Sequence, residues 1–203
     1  QAKKEIWTGN ALLISNNPAI VNSLVQNDRE ALNDALSKLG EKFKENTGFQ
    51  NIKIHIIDSS LHSFYKTWAP ESYGENLAYS EGYQWVKRHK EVRCAMEVSE
   101  KGLRLKGLSP VFNNGNFIGM VNFEGGLNSI KRKLKPHKVD FLYFMDKKDL
   151  KIGKAIQDNP AWHNFVLSQK DYDKDFLGYV QDNMTASKTK NPYHIDNKHI
   201  TTS

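Results

Sequence analysis

The apolar positions of this chain change period several times, and each change marks an element. Over residues 1–46 they recur with helical spacing. Asn17 before Pro18 predicts a helix start, because a proline at the first helical position loses no hydrogen bond. Ile20, Val21 and Leu24 then share a face. Asn27 with Glu30 predicts a second start of the capping-box type. Beyond it Leu32, Leu36, Leu39 and Phe43 form a stripe on one face of a helix. That helix is expected to stop at Asn46-Thr47-Gly48, where glycine favours a left-handed turn.

Residues 51–58, NIKIHIID, alternate with period two, so Ile52, Ile54 and Ile56 point to one side of a strand. SSLHSFYKTWAPESYG follows as a loop or short helix, and 75–89 read as a weak helix through Leu77, Tyr83 and Val86. Residues 92–127 read as three strands, at 93–98, 103–112 and 116–124, in one antiparallel sheet with 51–58. Asn113-Asn114-Gly115-Asn116 joins the last two, since Asn-Gly is the strongest short-range signal for a tight hairpin. A two-residue Asn114-Gly115 turn sets Phe112 opposite Phe117 and Lys106 opposite Phe123. Arg104, Lys106, Leu108, Val121 and Phe123 then share one face, with Gly107, Met120 and Asn122 on the other.

Residues 125–135 turn helical, and 139–146 form a strand. Helical stretches follow near 149–157 and 170–182, then a hairpin over 193–201. There an Asp196-Asn197 turn sets His194 opposite His199. The fold class is α+β. A helical segment (1–46) precedes a sheet lobe (47–135) and a smaller αβ lobe (136–203).

Composition narrows the function. Apolar residues make up 38% and charged residues 26%, a globular balance on the polar side. The net charge is +6, with one dense run from Lys131 to Lys135. That run reads as a solvated helix end or as a contact for an anionic surface. Cys94 is the single cysteine, which excludes an intramolecular disulfide, and in an apolar strand it reads as buried and inert. No apolar run reaches the roughly 18 residues of a membrane span, and no signal peptide is visible. The chain opens at Gln1 and closes on Ile200-Thr201-Thr202-Ser203 within a strand-like pattern, which reads as a piece of a longer protein. There is no nucleophile elbow, P-loop or HExxH, and no cofactor is expected. Two histidines alone do not make a zinc site, and Glu97 with Glu124 is weak ground for a glycosidase pair.

The ordered set NIKIHIID, FYKTWAPESYGENL, EVSEKGLRLKGLSPVFNNGNFIGMVNFEGGLNSI, DFLYFMD and VLSQKDYD resembles the Cache-type sensor domains. These are extracytoplasmic, PAS-like input modules of bacterial chemoreceptors, sensor kinases and diguanylate cyclases. The resemblance implies a long N-terminal helix rising from a membrane, a membrane-distal lobe that binds ligand, and a membrane-proximal lobe. It implies flanking membrane spans, a periplasmic location and no enzymatic activity. Lys106 stands where the family often has Arg, Asn122 where it often has an acidic residue, and Ser80-Glu81 where an Arg often follows YGENL.

The expected ligand site lies between the sheet and segment 64–83, with Trp68, Tyr73, Tyr79, Glu97, Lys106 and Phe123. Trp68 reads either as a core tryptophan or as an aromatic wall, and the tyrosines either as packing or as hydroxyl donors. Lys106 reads either as a cation for a carboxylate-bearing ligand or as a lysine snorkelling to solvent. Ile6, Leu13 and Ile20 recur at seven-residue spacing, which predicts a homodimer through the N-terminal helix. The alternative function is a basic protein that contacts nucleic acid through Lys131–Lys135.

Overall fold

The computed structural model describes residues 2–46, 53–137, 139–184, 193–196 and 199–202. The chain divides into two compact units, Gln1–Glu97 with Arg104–Gly125, and Val98–Leu103 with Gly126–Ser203. The N-terminal helices therefore group with the first sheet.

The first unit opens with three helices: α1 (Ala2–Ser15), α2 (Pro18–Gln26) and α3 (Arg29–Asn46). Asn17 caps α2 through its side chain, which accepts from the Ala19 N–H at 2.9 Å. Pro18 takes the first position, as the sequence predicts. Asn27 adopts a left-handed φ of 55° and closes α2. The cap of α3 is instead Asp28, which accepts from the Ala31 N–H at 3.0 Å. The predicted Asn27 start is thus one residue early.

The sheet orders β2 (Ser63–Lys66), β1 (Lys53–Asp58), β5 (Asn116–Gly125), β4 (Gly102–Asn113) and β3 (Arg93–Ser99), with antiparallel pairing between β2, β1, β5 and β4. Ile52 and the expected helix stop after Asn46 lie outside the described residues. β2 was not predicted as a strand: its SFYK run is short and surrounded by polar loop residues. Helix α4 (Glu81–His89) is shorter than expected, because Ser80 caps it and 75–80 run as loop. One face of the sheet carries the helices. Trp7, Ala11, Ile14, Ile20, Leu32 and Leu36 pack there against Ile54, Ile56, Val121 and Phe123, with Leu39 and Phe43 at the margin. The other face holds Ile57, Leu108 and Met120 under Tyr83 and Val86 of α4.

The expected seven-residue seam does not run along one helix. Asn16-Asn17-Pro18 breaks it, Ile20 is buried in the core, and only Ile6 and Leu13 stay exposed. No described helix is long and apolar enough to cross a membrane.

In the second unit α5 (Asn128–Leu134) leads to a three-stranded sheet ordered β6 (Phe144–Asp146), β8 (Phe165–Leu167) and β7 (Ala161–Trp162). The expected strand over 139–146 is confined to its last three residues. The buried Gln169 side chain takes up backbone groups that a ladder would have used: it accepts from the Tyr143 N–H at 3.0 Å and donates to the Phe141 carbonyl at 3.4 Å. The helix expected near 149–157 is two 3-10 turns, 147–151 and 154–156, separated at Gly153. Helix α6 (Lys174–Asn183) starts on an Asp173 cap. The last hairpin, β9 (Tyr193–Asp196) and β10 (His199–Thr202), pairs His199 with Asp196 and His194 with Thr201. His194 is therefore not opposite His199, as the expected Asp196-Asn197 turn would require.

Candidate functional site

The register of the β4–β5 hairpin decides which side chains meet. Asn113 faces Asn116 and Phe112 faces Phe117, as the Asn114-Gly115 turn predicts. Between Val111 and Phe112 the register shifts, so that Lys106 faces Glu124, Gly107 faces Phe123 and Leu108 faces Asn122. The expected pairing of Lys106 with Phe123 is corrected by this bulge. Side chains alternate along a strand, so one inserted residue turns everything beyond it to the opposite face. Asn122 and Glu124 join the Lys106 face, while Val121 and Phe123 join the helix face. Phe123 meets Trp7 edge-on, with ring centroids 5.6 Å apart, and packs in the core under the helices.

The Lys106 face is polar and buried. Lys106 is 3% exposed, Asn122 0% and Glu124 5%, so Lys106 does not snorkel. Its ammonium donates to Glu97 Oε2 at 2.9 Å and lies 4.5 Å from the Tyr83 ring centroid. Glu97 Oε2 also accepts from the Ser80 hydroxyl at 2.6 Å, and Oε1 accepts from the Gly82 N–H. The start of α4 thus supplies two donors to a carboxylate, where the helix dipole also favours negative charge. Burial works against the Lys106 charge, but the Tyr83 oxygen and the Glu97 and Glu124 carboxylates outweigh it and raise its pKa above the ordinary lysine value. Burial opposes the Glu97 charge too, yet Lys106, Ser80 and Gly82 hold its carboxyl below the usual range.

Asn122 Nδ2 donates to the Tyr83 hydroxyl at 2.8 Å and reaches Glu124 Oε2 at 3.4 Å. Asn122 Oδ1 is buried and has no hydrogen-bond donor among the described residues. Glu124 Oε1 lies 3.9 Å from the Arg104 Nε. Beside them on β1, His55 shares a 2.8 Å hydrogen bond with Ser63. Burial, with Lys66 and Lys106 nearby, pushes the His55 imidazole down to about 3, so it is neutral in the folded protein. Burial pushes the Tyr83 phenol up to about 12.

A family model described as the double sensory domain of two-component sensor kinases, dCache_3, matches residues 2–173. The chain belongs to this family. Its members are sensory domains, as the sequence resemblance implies. The chain is similar to the solved sensor domain of the V. cholerae histidine kinase DctB, at 13% identity and a TM-score of 0.55, over 95% of this chain and 74% of that one. The sensory domain of the Campylobacter jejuni chemoreceptor Tlp3 is also similar, at 11% identity and a TM-score of 0.44, over 98% of this chain and 76% of that one. No curated protein matches the sequence.

In this sensory domain the expected site residues do not all meet: Phe123 is in the helix-side core. Glu97 and Lys106 meet directly. Trp68 meets other residues, with His55 edge-on at 5.7 Å and the Lys53 ammonium 4.7 Å from its ring centroid. Tyr79 is half-exposed; partial burial pushes its phenol up against the pull of Lys106, and Glu97 and Glu124 add to the rise. Tyr73 turns elsewhere, with the Arg29 guanidinium 3.7 Å from its ring centroid. His55, Tyr83 and Glu124 were not among the expected residues, whereas Asn122 and Ser80 are positions at which the chain departs from the family pattern and which were expected to shape ligand choice. A continuous β5 register hides Glu124 and Asn122, whereas the Ser80 cap was legible as a serine before a helical run. Cys94 is half-buried, and burial pushes its thiol up, away from reactivity.

Proposed function

We propose that this chain is the extracytoplasmic ligand-sensing portion of a membrane-bound receptor, with flanking membrane spans in the full protein. Its ligand sits over the Lys106 face of the first sheet and carries an ammonium or amine group. The observation that carries this reading is the surplus of buried acceptors. Among the described residues Asn122 Oδ1 lacks a donor, and Glu124, two residues along the same strand face, has only long contacts to its carboxylate, 3.4 Å from Asn122 Nδ2 and 3.9 Å from Arg104 Nε. Buried acceptors left without donors are costly, and a ligand N–H satisfies both. The carboxylate-bearing ligand expected from sequence assumed an available Lys106. Glu97 holds that lysine through one of its three N–H donors, so a ligand carboxylate would have to share Lys106 with Glu97 or displace it. Trp68 and Tyr79 supply the aromatic margin.

The signal is differential binding, in which ligand favours one arrangement of the sheet. Lys106 is followed at once by Gly107, whose lack of a side chain seats α1: a Cβ there would collide with the Trp7 carbonyl. The buried Ser15–Ser109 hydrogen bond, 2.8 Å long, ties the end of α1 to the same strand. A ligand that shifts β4 therefore bears directly on the N-terminal helix, and the exposed Ile6 and Leu13 offer a second copy a contact on that helix. Family membership favours this reading over nucleic-acid binding.

A thermal-shift panel of primary amines, amino acids and plain carboxylates tests the ligand class, because a ligand that binds only the folded state raises its melting temperature. Stabilisation is expected from compounds with an ammonium group. Stabilisation by plain carboxylates alone would instead support displacement of Glu97.

A further inference from the structure

The second unit contains a cleft of about 570 Å³, within the roughly 300–1,000 Å³ of small-molecule sites. One wall is the end of α5 and the turn after it, which bring Lys131, Arg132 and Lys135. The facing walls bring Asp140 and the segment before α6, Asp171 to Asp173. Lys131 ties these walls together. Its ammonium donates to the Asp171 carbonyl at 3.1 Å and lies 3.7 Å from Asp140 Oδ1 and 3.5 Å from Asp171 Oδ2. Asp173 is engaged as well, since its Oδ1 accepts from the Phe176 N–H at 2.9 Å and caps α6.

This leaves an imbalance. All three carboxylates of the cleft have a cation or an N–H donor. Arg132 and Lys135, three residues apart and both exposed, meet no carboxylate among the described residues. Residues at this spacing lie on one face of a helix, so two cations converge on a concave surface whose acidic groups are already engaged. Guanidinium matches the paired oxygens of a carboxylate or phosphate, and the Tyr172 hydroxyl in the wall can donate to the same group.

We propose that this cleft is a second ligand site, for a small dianion such as a dicarboxylate or a phosphate. It is separate in chemistry from the amine-directed face of the first unit and does not rest on that reading. The dianion spans Arg132 and Lys135, while the Lys131 ties keep the walls at binding distance.

Titration calorimetry of the chain with succinate, and separately with inorganic phosphate, tests this. Saturable binding of at least one anion is expected, weakening as salt is added. The double variant Arg132→Ala, Lys135→Ala should weaken it by about tenfold or more, the scale of a lost hydrogen bond to a charged group. Both side chains are exposed, so the variant should melt with the wild type. Asn122→Leu in the first unit should leave anion affinity unchanged. Binding of succinate alone assigns carboxylate chemistry, and binding of phosphate alone assigns phosphate. In the wild type the Tyr172 ring resonances should shift during the titration, a readout that needs no variant. Three results would each overturn the proposal: no saturable binding of either anion, unchanged affinity in the double variant, or loss of binding in Asn122→Leu with retention in the double variant.

Discussion

A lysine that is 3% exposed keeps its charge only because its surroundings replace water. Lys106 has the Glu97 carboxylate, and Glu97 in turn has Ser80 and Gly82. Removing one partner of such a pair leaves an uncompensated buried charge. Glu97→Ala should therefore cost about 3 kcal/mol in a urea melt, and the double change Glu97→Leu, Lys106→Met should recover most of it. A neutral single variant would mean that Lys106 finds another partner. Lys106→Ala should likewise lower stability, because it leaves the Glu97 carboxylate without its cation. His55 gives a pH signature. Its folded pKa is about 3 against 6.5 for the ordinary imidazole. The unfolded chain thus binds the proton first, and stability is lost as pH falls from 6.5 towards 3. His55→Gln should flatten that part of the stability–pH curve. A wild-type curve that is already flat there would contradict a neutral buried His55.

Among the elements, α1 is held by shape. Gly107 and Gly125 leave room for the Trp7 backbone and indole, respectively. Gly107→Ala should cost about 3 kcal/mol, the upper range for overpacking, and should make α1 accessible to limited proteolysis in the folded protein. Leu36, 1% exposed in the helix-side core, should cost about 2–5 kcal/mol as Leu36→Ala. Protection of α1 unchanged in Gly107→Ala would show that the seat is not what holds it. The helix stripe and the sheet strands were legible because their periods are strong: Leu32 and Leu36 are core, and Ile54 and Ile56 face it. The bulge was not legible. Gly119, at the shifted end of β5, approaches the Ile57 carbonyl closely, a tertiary fact that no local pattern announces. Everything beyond it turned over, which placed Phe123 in the helix-side core and brought Asn122 and Glu124 onto the Lys106 face. Similarly, Gln169 replaces the ladder of the expected 139–143 strand through a contact across 26 residues.

The whole molecule is a double sensory domain, and its ordered set of motifs pointed there even though the site residues were only partly legible. The proposed association rests on less than the seven-residue spacing promised, since Ile20 is buried and the exposed large apolar residues of α1 are Ile6, Leu12 and Leu13. Weak self-association is expected in sedimentation velocity at high concentration, and Leu13→Asp should abolish it. Association that is unaffected by Leu13→Asp would place the interface off α1. Ligand recognition is proposed to rest on the buried acceptors of the Lys106 face. Calorimetric titration of the strongest ammonium-bearing compound into wild type, Asn122→Leu and Glu124→Gln tests it most directly. Each variant should weaken binding by about tenfold or more, as expected for losing a hydrogen bond to a charged group, while both remain folded. Wild-type affinity in both folded variants would contradict it.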